Sequence, residues 1–528
     1  MPKALVAAAF AAVFGATTAF APRTVAPTIS EGLPSRSPTA VGMSAERLAA
    51  IDRVVLRGIH AGGFPGASVV VGRDGYAVVK RGYGRLTWSS DSPAVTDQSV
   101  YDLASLTKVV ATTSAIMVLY DEGKIDLDAP VRNYIPAFSG GAKDRVTVRH
   151  LLTHRSGLPA GRDLWRSASS PAEARRQVLE TRIYCAPGAC YEYSDLGADV
   201  LGFVAETVSG RRLDQFVAER VFAPLGMTDT HFRPPAELRA RTAPTEIAPP
   251  RGYPLRGEVH DENAYALGGV AGHAGLFSTA ADLSIFAQTL LNGGSYRGVR
   301  VFADSTVRLF TRRAAGTRAL GWDTCGHTGS CGELMAESAF GHTGFTGTSL
   351  WLDPEQRMFV LLLTNRVYDA RAGRPARVIA DVRADLADAA ELAVLDDPRG
   401  VAAMPAAFRA DEGAGWNRPA VVPRARRVAS ARGEARARAA ASRSAKGKAA
   451  KSVRAAAAKK AKAAKSAKAA KSAKAGKSAG RSAAKGSGRS ATRAAQGTAK
   501  ASAKAVTAKR KAGGAKAAST KAKRTARG

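Results

Sequence analysis

The sequence predicts an α/β body in which one antiparallel sheet is assembled from segments far apart in the chain, with a mainly helical domain inserted between them. Three observations carry this. Two short apolar runs, Ala67–Val71 and Tyr76–Lys80, flank Gly72-Arg73-Asp74-Gly75, a hairpin signal. A second pair, Gly344–Leu352 and Met358–Thr364, flanks the turn residues Asp353-Pro354-Glu355. Between the pairs, from about 125 to 335, the pattern is helical and rich in loops.

The helices that flank this sheet have clear signals. Ser44 is a good N-cap, followed by Leu48, Ile51, Val55 and Ile59 on one face, until Phe64-Pro65-Gly66 breaks the pattern. A second helix is expected over residues 105–122, closed by Gly123. A third helical run begins at Asp199, and a last one extends from Val378 to Leu395.

Charge separates the body from the C-terminal segment. The chain has 528 residues, with 78 Lys+Arg against 44 Asp+Glu. From Arg424 to Gly528 there are 33 basic residues and one acid, Glu434, which leaves a net charge of only +2 on the other 423 residues. The high net charge therefore does not describe a basic nucleic-acid-binding domain. Residues 424–528 contain no aromatic residue and cannot bury enough surface to offset their ordering entropy, so a disordered polycation is expected. Lys462, Lys465, Lys468, Lys471, Lys474 and Lys477 recur every third residue, and at about 300° per step they circle a helix without leaving an apolar face. The composition resembles histone H1-like tails, and its expected partners are nucleic acid or anionic envelope polymers.

Residues 1–21 read as a secretory signal: Lys3, an apolar stretch from Ala4, then Ala19-Phe20-Ala21. An uncleaved anchor is the alternative. No later stretch is long and apolar enough to cross a bilayer. The expected location is the periplasm or cell envelope. Residues 22–42 and 396–423 are expected to be linkers, leaving 43–395 as the folded domain. Four cysteines form two close pairs, Cys185 with Cys190 and Cys325 with Cys331. In an oxidising compartment they suggest disulfides; two local loops are favoured among three connectivities, with a metal site as the alternative. No histidine stands at finger-like spacing, so neither a metal nor another cofactor is expected.

The chemistry begins at Asp102-Leu103-Ala104-Ser105-Leu106-Thr107-Lys108. Ser105 and Lys108 share one helix face a turn apart, where a lysine can assist a serine nucleophile. Tyr191-Glu192-Tyr193-Ser194-Asp195 and Gly341-His342-Thr343-Gly344-Phe345 come next, in that order. With these three motifs the chain resembles the serine β-lactamase and penicillin-binding protein family, most closely its class C branch. That branch uses S-x-x-K, Y-x-N and K-T-G in this sequence order. Leu151–Pro159 and Gly268–Asp282 are also typical of that branch, and the latter, with Val259-His260-Asp261, is similar to penicillin-binding protein 4B and its relatives.

The resemblance implies a β-lactamase/transpeptidase-like fold and an acyl-enzyme on Ser105. It implies proton transfer shared by Lys108 and Tyr193, with Tyr191 as the competing tyrosine. The oxyanion would sit between the backbone N–H groups of Ser105 and Phe345. Asp195, His342, Thr343 and Gly344 complete the expected substrate site. Two positions depart from the pattern: Asp195 replaces Asn and His342 replaces Lys. A carboxylate near Lys108 favours its charged form and moves the base role to Tyr193. A neutral His342 attracts a substrate carboxylate less than lysine would, which counts against efficient β-lactam turnover. Gly326-His327-Thr328-Gly329 repeats the third motif without a strand after it and reads as part of a disulfide-closed loop. His154, His260 and His273 form no zinc pattern and read as structural.

The expected substrates are D-alanyl peptides of the cell wall. Esters or D-amino-acid amides on the same fold are the alternative. A degenerate body carrying a polyanion-binding tail is a third reading.

Overall fold

The computed structural model describes residues 29–326, 329–413 and 416. The chain divides into Met1–Val421 and Val422–Gly528, and every described residue belongs to the first unit. The expected signal segment 1–21 and basic tail 424–528 lie outside the described residues.

Among the described residues eleven strands occur in chain order: β1 Gly66–Arg73, β2 Tyr76–Gly84, β3 Tyr101–Asp102, β4 His231–Phe232, β5 Leu276–Ser278, β6 Ser295–Tyr296, β7 Val299–Arg300, β8 Asp323–Thr324, β9 Phe340–Thr343, β10 Ser349–Asp353 and β11 Met358–Thr364. Six form one antiparallel sheet in the order β2-β1-β11-β10-β9-β8. β1 pairs directly with β11, from Ala67 opposite Thr364 to Arg73 opposite Met358. The sheet is thus built from both ends of the body, as the alternation of strand and helix signals implies.

Strand alternation explains the two cores. Val69 and Val71 of β1, with Val360 and Leu362 of β11, face a core shared with helices Ala45–His60 and Pro375–Leu392. Val70, Phe359, Leu361 and Leu363 face the opposite core, which holds Phe286 of helix Ala280–Leu291 and the helical domain. All eight residues of β1 are buried, which is why it reads as an apolar run rather than an alternating one. The β1–β2 hairpin turns through Asp74 and Gly75, both at positive φ (52° and 86°), as a tight turn between twisted strands requires.

Three expectations need correction. Gly344–Leu352 is not one strand: β9 ends at Thr343, and the chain turns back before β10. The Gly344 N–H donates to Thr348 O (2.7 Å) and the Gly347 N–H to Gly344 O (3.1 Å), with Gly347 at φ 110°. The second helix is compound: a 3-10 turn Ala104–Leu106, a π-helical turn Lys108–Thr113 and an α-helix Ser114–Asp121. A wide turn of this kind recurs at functional sites. The third is that the stretches read as linkers are partly anchored. Buried Arg73 is the anchor: its guanidinium donates to Val41 O (2.6 Å) and Gln356 O (3.1 Å) and pairs with Asp396 (2.7 Å). Beyond it, Arg409 pairs with Asp385 (2.9 Å) and Asp388 (2.8 Å), and the buried Trp416 donates to Asp381 (2.8 Å). A linker composition does not reveal such anchors, because each partner lies elsewhere in the chain.

Candidate active site

The nucleophile turn is held from below. β3 pairs with β5, Asp102 opposite Phe277. The Asp102 carboxylate accepts from the backbone N–H of Ala104 (2.8 Å) and of His260 (2.7 Å). Burial raises its pKa, opposed by these two bonds. Ala104, immediately before Ser105, sits at φ 47°, a left-handed conformation that costs a residue with a side chain on the order of 1 kcal/mol. The Asp102 acceptor and the contacts of the opposite turn maintain it.

That opposite turn is the one joining β9 to β10. Thr346 Oγ1 donates to Asp102 O (2.7 Å), and Thr348 Oγ1 donates to Leu103 O (2.9 Å). Arg383 Nη2 donates to Gly344 O (2.7 Å) and Thr348 O (2.8 Å) from beneath. Burial pushes the Arg383 guanidinium down to about 9. A Cβ on Gly344 would lie 2.4 Å from Leu103 O and 2.1 Å from Thr348 Oγ1, so only glycine permits this approach. The backbone N–H groups of Ser105 and Phe345 take no partner among the described residues. They remain available for an oxyanion.

Lys108 occupies the centre and is almost fully buried. Its Nζ donates to Ser105 Oγ (2.9 Å) and His273 O (3.2 Å) and pairs with Asp195 Oδ1 (2.7 Å). Burial alone would lower its pKa, but Tyr193 and Asp195 together outweigh burial and hold it above the ordinary lysine value. Lys108 is therefore an ammonium that donates to the serine oxygen. Asp195 is the first residue of helix Asp195–Ser209, and Ser194 caps that helix by accepting from the Gly197 N–H (3.1 Å). The cap brings both Tyr193 and Asp195 to Lys108.

Tyr193 is surrounded by nitrogen groups. Lys108 Nζ is 4.9 Å from its ring centroid and the Arg318 guanidinium 5.3 Å. His154 lies against one face, with centroids 4.6 Å apart, and accepts at Nδ1 from the Ser194 N–H (3.1 Å). His342 stands further off, at 6.0 Å. Burial, then the charges of Arg318 and Lys108, hold both histidines well below the ordinary pKa and keep them neutral. His342 Nδ1 lies 2.8 Å from Thr343 O, so its proton is there, and the buried Nε2 is a bare acceptor without a partner among the described residues. Tyr191 is half exposed and its hydroxyl accepts from Arg318 Nε (3.0 Å).

Arg318 has no motif around it, and local spacing does not single it out. It is buried, its Nη1 has no hydrogen-bond partner among the described residues, and Asp323 stands 3.7 Å from its Nε. The supports of the two turns, Asp102, Thr346, Thr348 and Arg383, are equally unmarked in the sequence.

His273 is more than a packed core residue. Its Nδ1 is 2.7 Å from Asp199 and its Nε2 3.0 Å from Asp261. Burial opposes protonation, but the two carboxylates raise its pKa well above the ordinary value. This clamped imidazolium fixes the carbonyl that accepts from Lys108. The cysteines are bonded as Cys185–Cys190 and Cys325–Cys331, with Cα atoms 6.5 and 5.8 Å apart. The second bond closes the loop that carries the repeated Gly-His-Thr-Gly, of which His327 and Thr328 lie outside the described residues.

A profile of the family described as Beta-lactamase matches residues 51–384, a span that includes all three motifs. A relative from Escherichia coli (strain K12), provisionally named D-alanyl-D-alanine carboxypeptidase, is 35% identical over 373 residues, covering 63% of this chain and 86% of the relative. One from Salmonella newport (strain SL254), with the same provisional name, is 34% identical over 375 residues, with the same coverage. Among solved structures, EstCE1, a hydrolase with promiscuous acyltransferase activity, superposes with a TM-score of 0.54 at 21% identity, covering 66% of this chain and 99% of its own. A class C beta lactamase superposes at 0.53 and 19% identity, covering 65% of this chain and 98% of its own. These two show a shared fold. The chain belongs to the beta-lactamase family of serine hydrolases.

Proposed function

We propose that the protein is an exported carboxypeptidase that removes a C-terminal D-alanine from cell-wall peptides through an acyl-enzyme on Ser105. The observation that carries this reading is Arg318. A carboxypeptidase substrate brings a free carboxylate on its leaving group. His342 is neutral and cannot pair with it, whereas Arg318 is a buried guanidinium with an open donor beside Tyr193 and His342. The relatives' provisional name supports the same reading.

In this mechanism Ser105 Oγ attacks the carbonyl carbon of the scissile bond while Tyr193 takes its proton. Lys108 stays charged and donates to the serine oxygen. The oxyanion is held by the N–H groups of Ser105 and Phe345. Tyr193 then passes its proton to the leaving D-alanine nitrogen, and the C–N bond breaks to give the Ser105 ester. Water, giving its proton to Tyr193, attacks that ester; Tyr193 returns the proton to Ser105 Oγ as the Oγ–C bond breaks and the shortened peptide leaves.

The test uses the unmodified chain and its Ser105→Ala variant with a peptide ending in D-Ala-D-Ala, with benzylpenicillin and with a p-nitrophenyl ester. Ser105-dependent D-alanine release and a penicillin adduct seen by intact mass are expected. Ester turnover without D-alanine release would replace this reading by an esterase. Absence of all Ser105-dependent activity would leave a non-catalytic body.

For the basic tail we propose retention at an anionic envelope surface through phosphate or carboxylate groups. Deleting residues 424–528 should release the enzyme from envelope fractions at low salt. Unchanged retention would refute this.

A further inference from the structure

The two N–H groups that face the oxyanion come from turns far apart in the chain. Ser105 follows Asp102 and Ala104, and Phe345 stands in the turn between β9 and β10. His260 belongs to neither turn and touches both. Its backbone N–H donates to the Asp102 carboxylate (2.7 Å), which also accepts from the Ala104 N–H (2.8 Å). Its ring stacks on Phe345, with centroids 5.7 Å apart and planes 22° apart.

His260 is itself anchored. Its carbonyl accepts from Nη2 of buried Arg251 (2.7 Å), and its Nε2 lies 2.7 Å from Glu246 Oε1. Burial opposes protonation of the imidazole, but Glu246 and Asp102 outweigh burial and raise its pKa. His260 in turn lowers the pKa of Glu246. The two shifts agree in sign, as for a charge-assisted hydrogen bond.

Phe345 depends on such a contact. Its ring is exposed. The peptide unit that carries its N–H is held at the carbonyl end, where Gly344 O accepts from Arg383 (2.7 Å) and from the Gly347 N–H (3.1 Å). The Arg366 guanidinium also lies over the ring, at 4.6 Å, but the Arg366 N–H is bonded to Thr346 O (2.9 Å), so Arg366 moves with the same turn. The Thr346 and Thr348 hydroxyl bonds join the two turns beyond Phe345. His260 joins them at Phe345 itself.

We propose that His260 is a positioning residue for acyl transfer: its main chain on the Asp102 carboxylate and its ring on Phe345 together set the separation of the two oxyanion N–H groups. The inference rests on an acyl-enzyme at Ser105 and holds for a peptide or an ester alike.

The test is single-turnover acylation by a p-nitrophenyl ester, with thermal melting of every variant. Phenylboronic acid is the second probe. Its boron adds Ser105 Oγ, the hydroxyl proton leaves to solvent, and the tetrahedral anion places an oxygen where the oxyanion forms. His260→Ala keeps the N–H to Asp102 and removes the ring. It should lower the limiting acylation rate and weaken boronate binding by the same factor, about 10- to 100-fold, with the half-saturating ester concentration changed less than about twofold. His260→Phe returns a ring to Phe345 and should restore the rate to within about fivefold of the unmodified chain. Glu246→Gln leaves the ring and removes its charged anchor, and should slow acylation about three- to tenfold.

Unchanged acylation and boronate binding in a folded His260→Ala overturn the positioning role. So does a loss that appears in half-saturation rather than in rate, or a His260→Phe variant as slow as His260→Ala. If His260→Ala does not fold, Glu246→Gln decides, and unchanged acylation there overturns the role. Acylation by the unmodified chain with no effect of these substitutions removes the positioning role alone. A chain that neither acylates nor binds the boronate overturns the acyl-enzyme reading and this inference with it.

Discussion

Replacing Asp195 with Asn separates the proton roles of Lys108 and Tyr193. Lys108 Nζ lies 2.7 Å from the Asp195 carboxylate, in a site where the lysine side chain is 4% exposed and the aspartate 34%. An opposite charge this close shifts a pKa by about 1–3 units. Water around the partly exposed aspartate screens the pair, so about 1–2 units is the appropriate range. Removing the carboxylate lowers the Lys108 pKa by that amount. It also leaves a buried ammonium short of a partner, at a cost of about 1–2 kcal/mol, below the roughly 3–5 kcal/mol of a fully enclosed pair. The assay is the single-turnover acylation rate of a chromogenic substrate from about pH 6 to pH 10. If Lys108 acts as an ammonium and Tyr193 as the base, Asp195→Asn leaves the lysine charged across this range and does not raise the rate at neutral pH. If Lys108 is the base, the same change increases its neutral fraction about 10- to 100-fold, and acylation at pH 7 rises accordingly. That rise would refute the assignment.

Arg318→Gln should lower kcat/KM for a D-Ala-D-Ala peptide by about 10- to 100-fold, mainly through KM, and should cost a neutral p-nitrophenyl ester less; an equal loss on both would show that Arg318 only supports Tyr191 and Tyr193. Gly344→Ala forces a methyl group against Leu103 O and Thr348 Oγ1, so thermal unfolding should report a loss of about 1–3 kcal/mol and the acylation rate should fall with it. Stability should also fall on the alkaline side. His273 has a folded-state pKa raised well above that of an unfolded histidine. Its contribution is complete below about pH 6.5 and is lost as pH rises through the folded value. Thermal melts from about pH 6 to pH 9 measure it, and His273→Asn should flatten the dependence.

Much of the fold was legible because burial imposes period on the chain. The β1 and β11 runs are apolar throughout since each faces two cores, and that continuity is readable without knowing the partner. The β9–β10 turn was not legible, because Phe345 and Thr346 continue the strand-like pattern and only the Gly344 and Gly347 bonds reverse the chain. The three motifs could be read because each is short and its elements are local. Arg318 could not, since its meaning comes from Tyr191, Tyr193 and His342, at sequence separations of 127, 125 and 24 residues. His273 reads as structural from the lack of a metal spacing; its partners Asp199 and Asp261 stand 74 and 12 residues away and give it a charge that no local pattern signals.

The two departures from the family pattern are connected through charge. Where that pattern has Lys, Asn and Lys around the serine, this site has Lys108, Asp195 and His342. Asp195 neutralises Lys108 at 2.7 Å and His342 is held neutral, so the second and third motifs together contribute two fewer positive charges than the usual set. Arg318, itself 3.7 Å from Asp323, brings a guanidinium to a different position, against the face of Tyr193 rather than along β9. A carboxylate attracted to Arg318 is displaced away from the His-Thr-Gly strand and toward the tyrosine that must protonate the leaving nitrogen. A flexible peptide can follow that displacement by rotating about the bond to its terminal residue. A β-lactam holds its carboxylate on the fused ring and follows the displacement less readily, so its adduct on Ser105 should form more slowly than the peptide acyl-enzyme. On the carboxypeptidase reading proposed above, the rearranged charge should favour peptide over β-lactam at the step where both must place a carbonyl between the same two N–H groups.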